Sequence, residues 1–430
     1  MRFLPHHRAL LPLLVAFVVH GAAAAGASAQ QPVGGTSSAR AAVRPVVLLH
    51  ANVIDGVSDA PIRDATIVLR DGRITSIGAA PASLPAGAVT IDVQGRWVLP
   101  GLMDAHTHIA DLAAMKRALT SGVTTVRSAS VAHFEDVGLR ELVRTGALAG
   151  PEVLAAGTFV TPDLGESITG DPRLARLAGG VQSTDDLRYL VRVNLDRGVD
   201  VIKTRTTERA GTPTTDPRMQ VYTERQLRAV VEEAATRGVG VLTHAHGDEG
   251  AWSAVSAGVR SIEHGTFISD STIALMVKKG TYLVPTYMTL KDLVEPGGDY
   301  DDPVTHNRGL FMLPIAREMV RRAHKAGVKI ATGVDTQYGE RSTSRVSQEM
   351  VAFVDEMGFT PMEAIRAATT VAAELFGIAA RTGSLRPGME ADLIVVTGNP
   401  LDDIRTVQDA IVVVSNGRVA LNRLPFARRE

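Results

Sequence analysis

The chain has 430 residues, 45% hydrophobic, 21% charged and 4% aromatic, an ordinary composition for a soluble globular protein with ample length for a large core. A formal net charge of -1 offers no attraction to nucleic acid or an anionic membrane and points to small-molecule partners. There is no cysteine, which excludes disulfides, thiolate chemistry and lipid attachment at a cleavage-site Cys.

In chain order, Arg2, His6, His7 and Arg8 precede an apolar stretch from Ala9 through Ala25, followed by Ala27-Ser28-Ala29 and Gln30. That is the charged, apolar and A-x-A pattern of a secretory signal peptide over residues 1–29, cleaved near Ala29 to leave a periplasmic or secreted protein. A membrane anchor would need a longer uninterrupted apolar span, so no membrane contact is expected after cleavage. Residues 30–44, with Gly, Ser, Ala and Pro, are expected to be a disordered linker.

Residues 45–98 hold short strand-like runs, and Asp71-Gly72 between Ala65–Arg70 and Arg73–Ile77 is a β-hairpin signal. Residues 383–425 contain similar runs, Ala391–Val396 and Ile411–Val419. Two β segments flanking a central region predict one small composite β-sandwich built from both chain ends, with residues 99–382 inserted between its halves.

The central region alternates helix and strand. Thr223 is an N-cap with Gln226 three residues on, Leu227, Val230, Val231 and Ala234 share a face, and Gly238 follows the end. Thr360, Pro361 and Glu363 repeat that start, with Gly377 closing the helix. Short apolar runs then end on reactive residues: Val199–Ile202 at Lys203, Val239–Thr243 at His244, Val259–Glu263 at His264, and Val328–Val334 at Asp335. Upstream, Trp97–Met103 leads into Asp104-Ala105-His106-Thr107-His108. The fold class is therefore α/β, a (β/α)8 TIM-type barrel, in which strand carboxyl ends converge on one mouth.

His106 and His108 are two apart, so on a strand both imidazoles face one side and can grip one metal ion, although a lone His is more often structural. His244 and His264 add imidazoles at later strand ends. Lys203 reads most plainly as a solvated strand-end ammonium, which repels metals; as a carbamate formed with carbon dioxide it would become a carboxylate-like bridge. Asp335 either caps the next helix or binds metal and takes a proton from metal-bound water. Arg205, two beyond Lys203, is either a surface residue or a bidentate partner for a substrate carboxylate.

The set His106-Thr107-His108, Lys203, His244, Ser261-Ile262-Glu263-His264-Gly265 and Thr332-Gly333-Val334-Asp335 resembles the metal site of the amidohydrolase superfamily. The resemblance runs from about residue 45 to 420, and includes Gly95-x-x-Val98-Leu99-Pro100-Gly101-Leu102-x-Asp104-x-His106. It is strongest for the imidazolonepropionase-like branch with secreted prolidase-like and carboxypeptidase-like enzymes. It implies two divalent ions, zinc or similar: His106, His108 and Asp335 on the first, His244 and His264 on the second, and carboxylated Lys203 bridging them with a hydroxide. It also implies that His246 faces the substrate carboxylate, the alternative being a hydrogen bond supporting a metal ligand. Two departures, Ser128 where relatives often carry Asp after Thr-Val-Arg, and the His-free loop Gly157–Gly165, lie near the expected pocket.

The expected function is a metal-dependent hydrolase that releases a C-terminal amino acid from dipeptides or N-acyl amino acids by hydroxide attack. The alternatives are a mononuclear deaminase, a cyclic-amide or lactone hydrolase, and a non-catalytic scaffold, the last disfavoured because all six metal-type residues are present. Self-association is left open.

Overall fold

A computed structural model describes residues 44–297, 300 and 302–424. The signal peptide and all but the last residue of the linker expected from the sequence lie outside them. Among the described residues, no helix is long and apolar enough to cross a membrane.

Both chain ends enter one sheet. Its strands are β1 (Val46–Val53), β2 (Ile62–Arg70), β3 (Arg73–Gly78), β4 (Val89–Asp92) and β5 (Trp97–Pro100) from the N-terminal side. They are followed along the chain by β6 (Leu102–Thr107), β7 (Val123–Ser128), β8 (Glu152–Leu154), β9 (Val201–Arg205), β10 (Gly240–Ala245), β11 (Ser261–His264) and β12 (Tyr282–Val284). The C-terminal contribution is β13 (Leu393–Val396), β14 (Val412–Ser415) and β15 (Arg418–Asn422). The shared sheet runs β15-β14-β13-β5-β1-β2-β3, with β4 also on β1. β2 and β3 turn at Asp71 and Gly72, both with positive φ, the primed turn expected from that dipeptide. Val46, Leu48, Ile67 and Val98 share a buried apolar cluster with Leu393, Val395, Val412 and Val414, so the two ends depend on each other for a core.

β6-β7-β8 and β9-β10-β11-β12 form two parallel sheets of three and four strands. Single bridges link Val160 to Thr204, Leu283 to Ile330 and Thr107 to Thr336. The run Trp97–Met103 serves both parts of the chain, because Gly101 divides β5 from β6. A Cβ at Gly101 would lie 2.8 Å from Thr124 Cβ, so only glycine passes β7 there.

Helices form where the capping signals place them. Thr223 and Gln226 make a reciprocal capping box at the start of the helix Glu224–Ala235, which buries Leu227, Val230 and Ala234. The helix predicted from Thr360 to Gly377 is in fact two, Pro361–Ala367 and Thr370–Phe376. The break has a physical cause: the carbonyls of Ala367 and Ala368 accept from Thr332 N (3.2 Å) and Met103 N (2.8 Å) instead of continuing the helical ladder.

A second correction concerns Val328–Val334, which forms no strand. It keeps isolated backbone bonds to β12, Ala331 N to the Leu283 carbonyl (3.0 Å), and to β6, Asp335 N to the His106 carbonyl (2.8 Å), but between them Gly333 N donates to Glu349 (3.0 Å) and Val334 N to Asp104 (3.2 Å), which interrupts the ladder.

Candidate metal centre

Strand ends bring the reactive side chains together. His106 lies in β6, Lys203 in β9, His244 in β10, and His264 closes β11, while His108 and His246 directly follow β6 and β10 and Asp335 directly precedes the bridged Thr336. Period-two alternation turns His106 with His108 and His244 with His246 to common sides, with ring centroids 5.5 Å and 4.8 Å apart. His264 sits between the pairs, 5.2 Å from His106 and 4.5 Å from His244. Asp335 Oδ1 is 3.4 Å from His106 Nε2 and 3.0 Å from His108 Nε2, and Lys203 Nζ is 3.3 Å from His106 Nε2. All these groups are buried except His108, with a side chain 30% exposed, and Asp335 at 11%, so the centre opens on that side.

Each imidazole is tied by one nitrogen and leaves the other for the centre. His106 Nδ1 meets Glu263 Oε2 at 2.8 Å, and His108 Nδ1 donates to the Ser130 carbonyl at 2.8 Å. His244 Nε2 donates to the Glu208 carbonyl at 2.9 Å, and His264 Nδ1 meets Thr286 Oγ1 at 2.6 Å. His246 Nδ1 meets Thr266 Oγ1 at 2.9 Å. Fixing one ring nitrogen selects the tautomer and aims the other, the usual support of a metal-binding histidine. Two groups of donor atoms within 4.8 Å of one another result: His106, His264 and Asp335, and His244, His246 and His264. Nitrogen and carboxylate donors so arranged fit zinc or a similar divalent cation.

The backbone around the centre is held in unusual conformations. Ser130 (φ 93), His264 (φ 72), Thr286 (φ 46), Asp335 (φ 50) and Tyr338 (φ 51) are all non-glycine residues in the left-handed region. Such positions cost about 1–3 kcal/mol each and persist where surrounding contacts over-determine them.

Burial and then the Lys203 charge depress His106 to about 4, and burial depresses His246 to about 3, so both rings are neutral and available as donors near neutral pH. Burial pulls the Lys203 amine from 10.5 to about 8, against the opposing pull of Glu263 and Asp335. Burial works against ionisation of Asp335, but neighbouring His106 and His108 outweigh it and hold the carboxylate ionised.

All the expected ligand residues meet in one place. Arg205 is no surface residue: its side chain is 11% exposed and pairs with Glu208 at 3.0 Å. Its Nε and the Tyr222 hydroxyl are both buried without a hydrogen-bond partner. His246 stands in one of the donor groups rather than apart from them.

Two residues without a role in the sequence reading also belong here. Glu263 Oε1 accepts from Arg127 Nη2 at 2.9 Å and from Ser261 Oγ at 2.5 Å, while its other oxygen holds His106. Burial opposes its ionisation, but the Arg127 charge and the His106 hydrogen bond bring it down to about 2. The signal was present: Arg127 and Glu263 are charged residues inside short strand-like runs, and a buried charge needs an opposite partner.

Parallel α/β units, strand-end histidines with oriented tautomers, and a carboxylate beside them define a metal-dependent hydrolase. The chain belongs to the amidohydrolase family, whose sequence profile matches residues 97–420, and is thus a hydrolase of carbon–nitrogen amide bonds. It is similar to ochratoxinase from Aspergillus niger, 27% identical over 406 residues that cover 85% of this chain and 84% of the other. It is also similar to imidazolonepropionase from Mycolicibacterium smegmatis, 26% identical over 360 residues, 78% of this chain and 85% of the other. Among solved structures, a Xaa-Pro dipeptidase with bound methionine superposes with a TM-score of 0.78 at 29% identity, covering 87% of this chain and 99% of that one.

Proposed function

We propose that the protein is an exported binuclear amidohydrolase that releases a C-terminal amino acid from dipeptides or N-acyl amino acids. The observation that carries this is the outward tethering of one nitrogen on each of four imidazoles, which leaves four ring donors, Lys203 and Asp335 facing one space. In this reading β6–β8, β9–β12 and the segment ending at Asp335 are arcs of one closed (β/α)8 barrel over residues 99–382. Residues 45–98 and 383–425 form the composite β domain.

His106, His108 and Asp335 would hold one divalent ion, zinc or similar, and His244 and His264 a second, with the Lys203 carbamate between them. Such ions lower the pKa of water toward neutrality and polarise a scissile carbonyl. Asp335 takes the proton of the attacking water and returns it to the leaving amine, a transfer its position 3.0 Å from His108 and its partial exposure allow. Arg205 and His246 receive the substrate carboxylate: Arg205 Nε is a buried donor without a partner, and burying an unpaired donor is costly unless a ligand satisfies it. The dipeptidase and ochratoxinase likenesses support this substrate class.

A second reading has its own observation. His106, His264 and Asp335 alone form a donor group sufficient for one ion, as a mononuclear deaminase or cyclic-amide or lactone hydrolase would use. The deciding experiment counts ions in the purified protein and measures amino-acid release from Xaa-Pro, Xaa-Arg and Xaa-Phe dipeptides and N-acyl amino acids. Two ions with release of one preferred amino acid support the binuclear reading. One ion at full activity, or silence of the zinc-loaded protein across the panel, overturns it. The periplasmic or secreted location is tested by fractionating cells that express the full chain and sequencing the mature N-terminus.

A further inference from the structure

Glu349 carries a fully buried carboxyl group, held by burial well above the usual carboxylate range, that the proposed chemistry leaves unused. It lies on the helix Val346–Met357. Its two oxygens accept from two backbone donors, Tyr287 N at 2.9 Å and Gly333 N at 3.0 Å. Those donors belong to two different segments that converge on the metal centre.

Tyr287 follows Thr286, which has left-handed backbone and whose hydroxyl meets His264 Nδ1 at 2.6 Å. Gly333 lies two residues before Asp335, the carboxylate beside His106 and His108. The approach at Gly333 is tight, since a Cβ there would lie 3.0 Å from His106 N. One side chain thus crosslinks the support of His264 to the segment carrying Asp335. Residues 331–335 are outside any strand, and backbone bonds hold them only at intervals: Ala331 N to the Leu283 carbonyl at 3.0 Å, Ala105 N to the Thr332 carbonyl at 2.9 Å and Asp335 N to the His106 carbonyl at 2.8 Å. Thr289 Oγ1, donating to the Val334 carbonyl at 3.0 Å, is a second side-chain link between the same segments, beyond the backbone bonds of Leu283 to Lys329 and Ala331.

We propose that Glu349 is a positioning residue that sets the spacing between the two halves of the metal centre, holding His264, through Thr286, in register with Asp335. This rests on the two-ion reading. Because the carboxyl group spans both segments, weakening it loosens both ions and not one.

The test compares wild type with E349Q and D392N, each loaded with Zn2+. In E349Q the carboxamide nitrogen must face one of the two backbone N–H groups, so one link is lost at nearly constant volume. Asp392 is an equally secluded carboxylate in the composite sheet, accepting from Asn416 N and the Thr382 hydroxyl, and serves as the control for burial alone. Circular dichroism checks folding, elemental analysis counts ions, and a chromogenic chelator follows their release.

The expected result is release of both ions at least tenfold faster from E349Q. With a dipeptide turned over by wild type, kcat falls at least tenfold while KM stays within about twofold. D392N keeps wild-type release and kcat. Wild-type release from E349Q, or acceleration of one ion only, overturns the proposal. If E349Q does not fold, E349D carries the test, since a side chain one methylene shorter cannot span both donors; release from it at the wild-type rate overturns the proposal equally. A wild-type protein holding a single ion overturns the two-ion reading and with it the shared register, whereas two ions held equally by wild type and E349Q overturn the role of Glu349 alone.

Discussion

A protonated Lys203 would place a cation 3.3 Å from the His106 nitrogen that faces the centre, where a metal ion has to approach. Reaction of the neutral amine with carbon dioxide, giving a carbamate and a proton, reverses that charge. With the amine near 8 instead of 10.5, about a tenth is neutral at pH 7, against well under a thousandth for an ordinary lysine. The sign follows: at fixed dissolved carbon dioxide, zinc reactivation of stripped protein should accelerate about tenfold per pH unit below pH 8 and level off above it. K203A should bind one ion fewer and lack turnover; pH-independent reactivation, or an active K203A, would refute the carbamate. Glu263 poses a different question, because it holds His106 on one side and neutralises Arg127 on the other. E263Q should weaken zinc affinity about 10–100-fold by loosening the His106 ring. It should also lower unfolding stability by about 3–5 kcal/mol, since Arg127 is left buried and unpaired. Metal-buffer titration and urea unfolding separate the two effects.

At the scale of elements, the same strand pattern led to different outcomes according to where the backbone donors could go. β10 and β11 form ladders on both sides, whereas the run ending at Asp335 keeps only isolated backbone bonds to β12 and β6 and gives the N–H groups of Gly333 and Val334 to Glu349 and Asp104. The split of the predicted helix Thr360–Gly377 has the related cause that two of its carbonyls accept from the backbone of Met103 in β6 and of Thr332. Periodicity and caps report what a segment prefers locally, and neither registers a donor or acceptor captured by another part of the chain. Gly101 is the sharpest case of an element boundary decided by contact. G101A should destabilise the protein by about 1–3 kcal/mol through overpacking against Thr124 and should leave the metal count unchanged. An unaltered urea midpoint would show that β5 and β6 can part without a glycine.

For the whole molecule, the two chain ends depend on each other through one shared sheet and apolar cluster. β13 pairs with β5 from Leu393–Pro100 to Val396–Trp97, so the C-terminal strands cover the segment that runs directly into the His106 strand. A chain ending at Thr382 would lose β13, β14 and β15 and expose Val46, Leu48, Ile67 and Val98. It should show no cooperative thermal transition by circular dichroism, even though all the expected metal ligands remain. A cooperative transition at the full-length midpoint would mean that residues 99–382 fold alone.

The chemistry was legible in the sequence because it depends on residue type at short spacing. His106 with His108, Lys203, His244, His264 and Asp335 each follow a strand-like run, and the structure brings these side chains together. The Asp71-Gly72 hairpin and the Thr223 capping box were equally local and took the expected form. Only the tertiary structure decided which side chains hold those ligands in place. Glu263 meets His106 from 157 residues away, and Glu349 reaches Gly333 and Tyr287 from another helix. Such partners are chosen by the meeting of buried charges and unpaired backbone donors, a condition that exists only once the chain has folded.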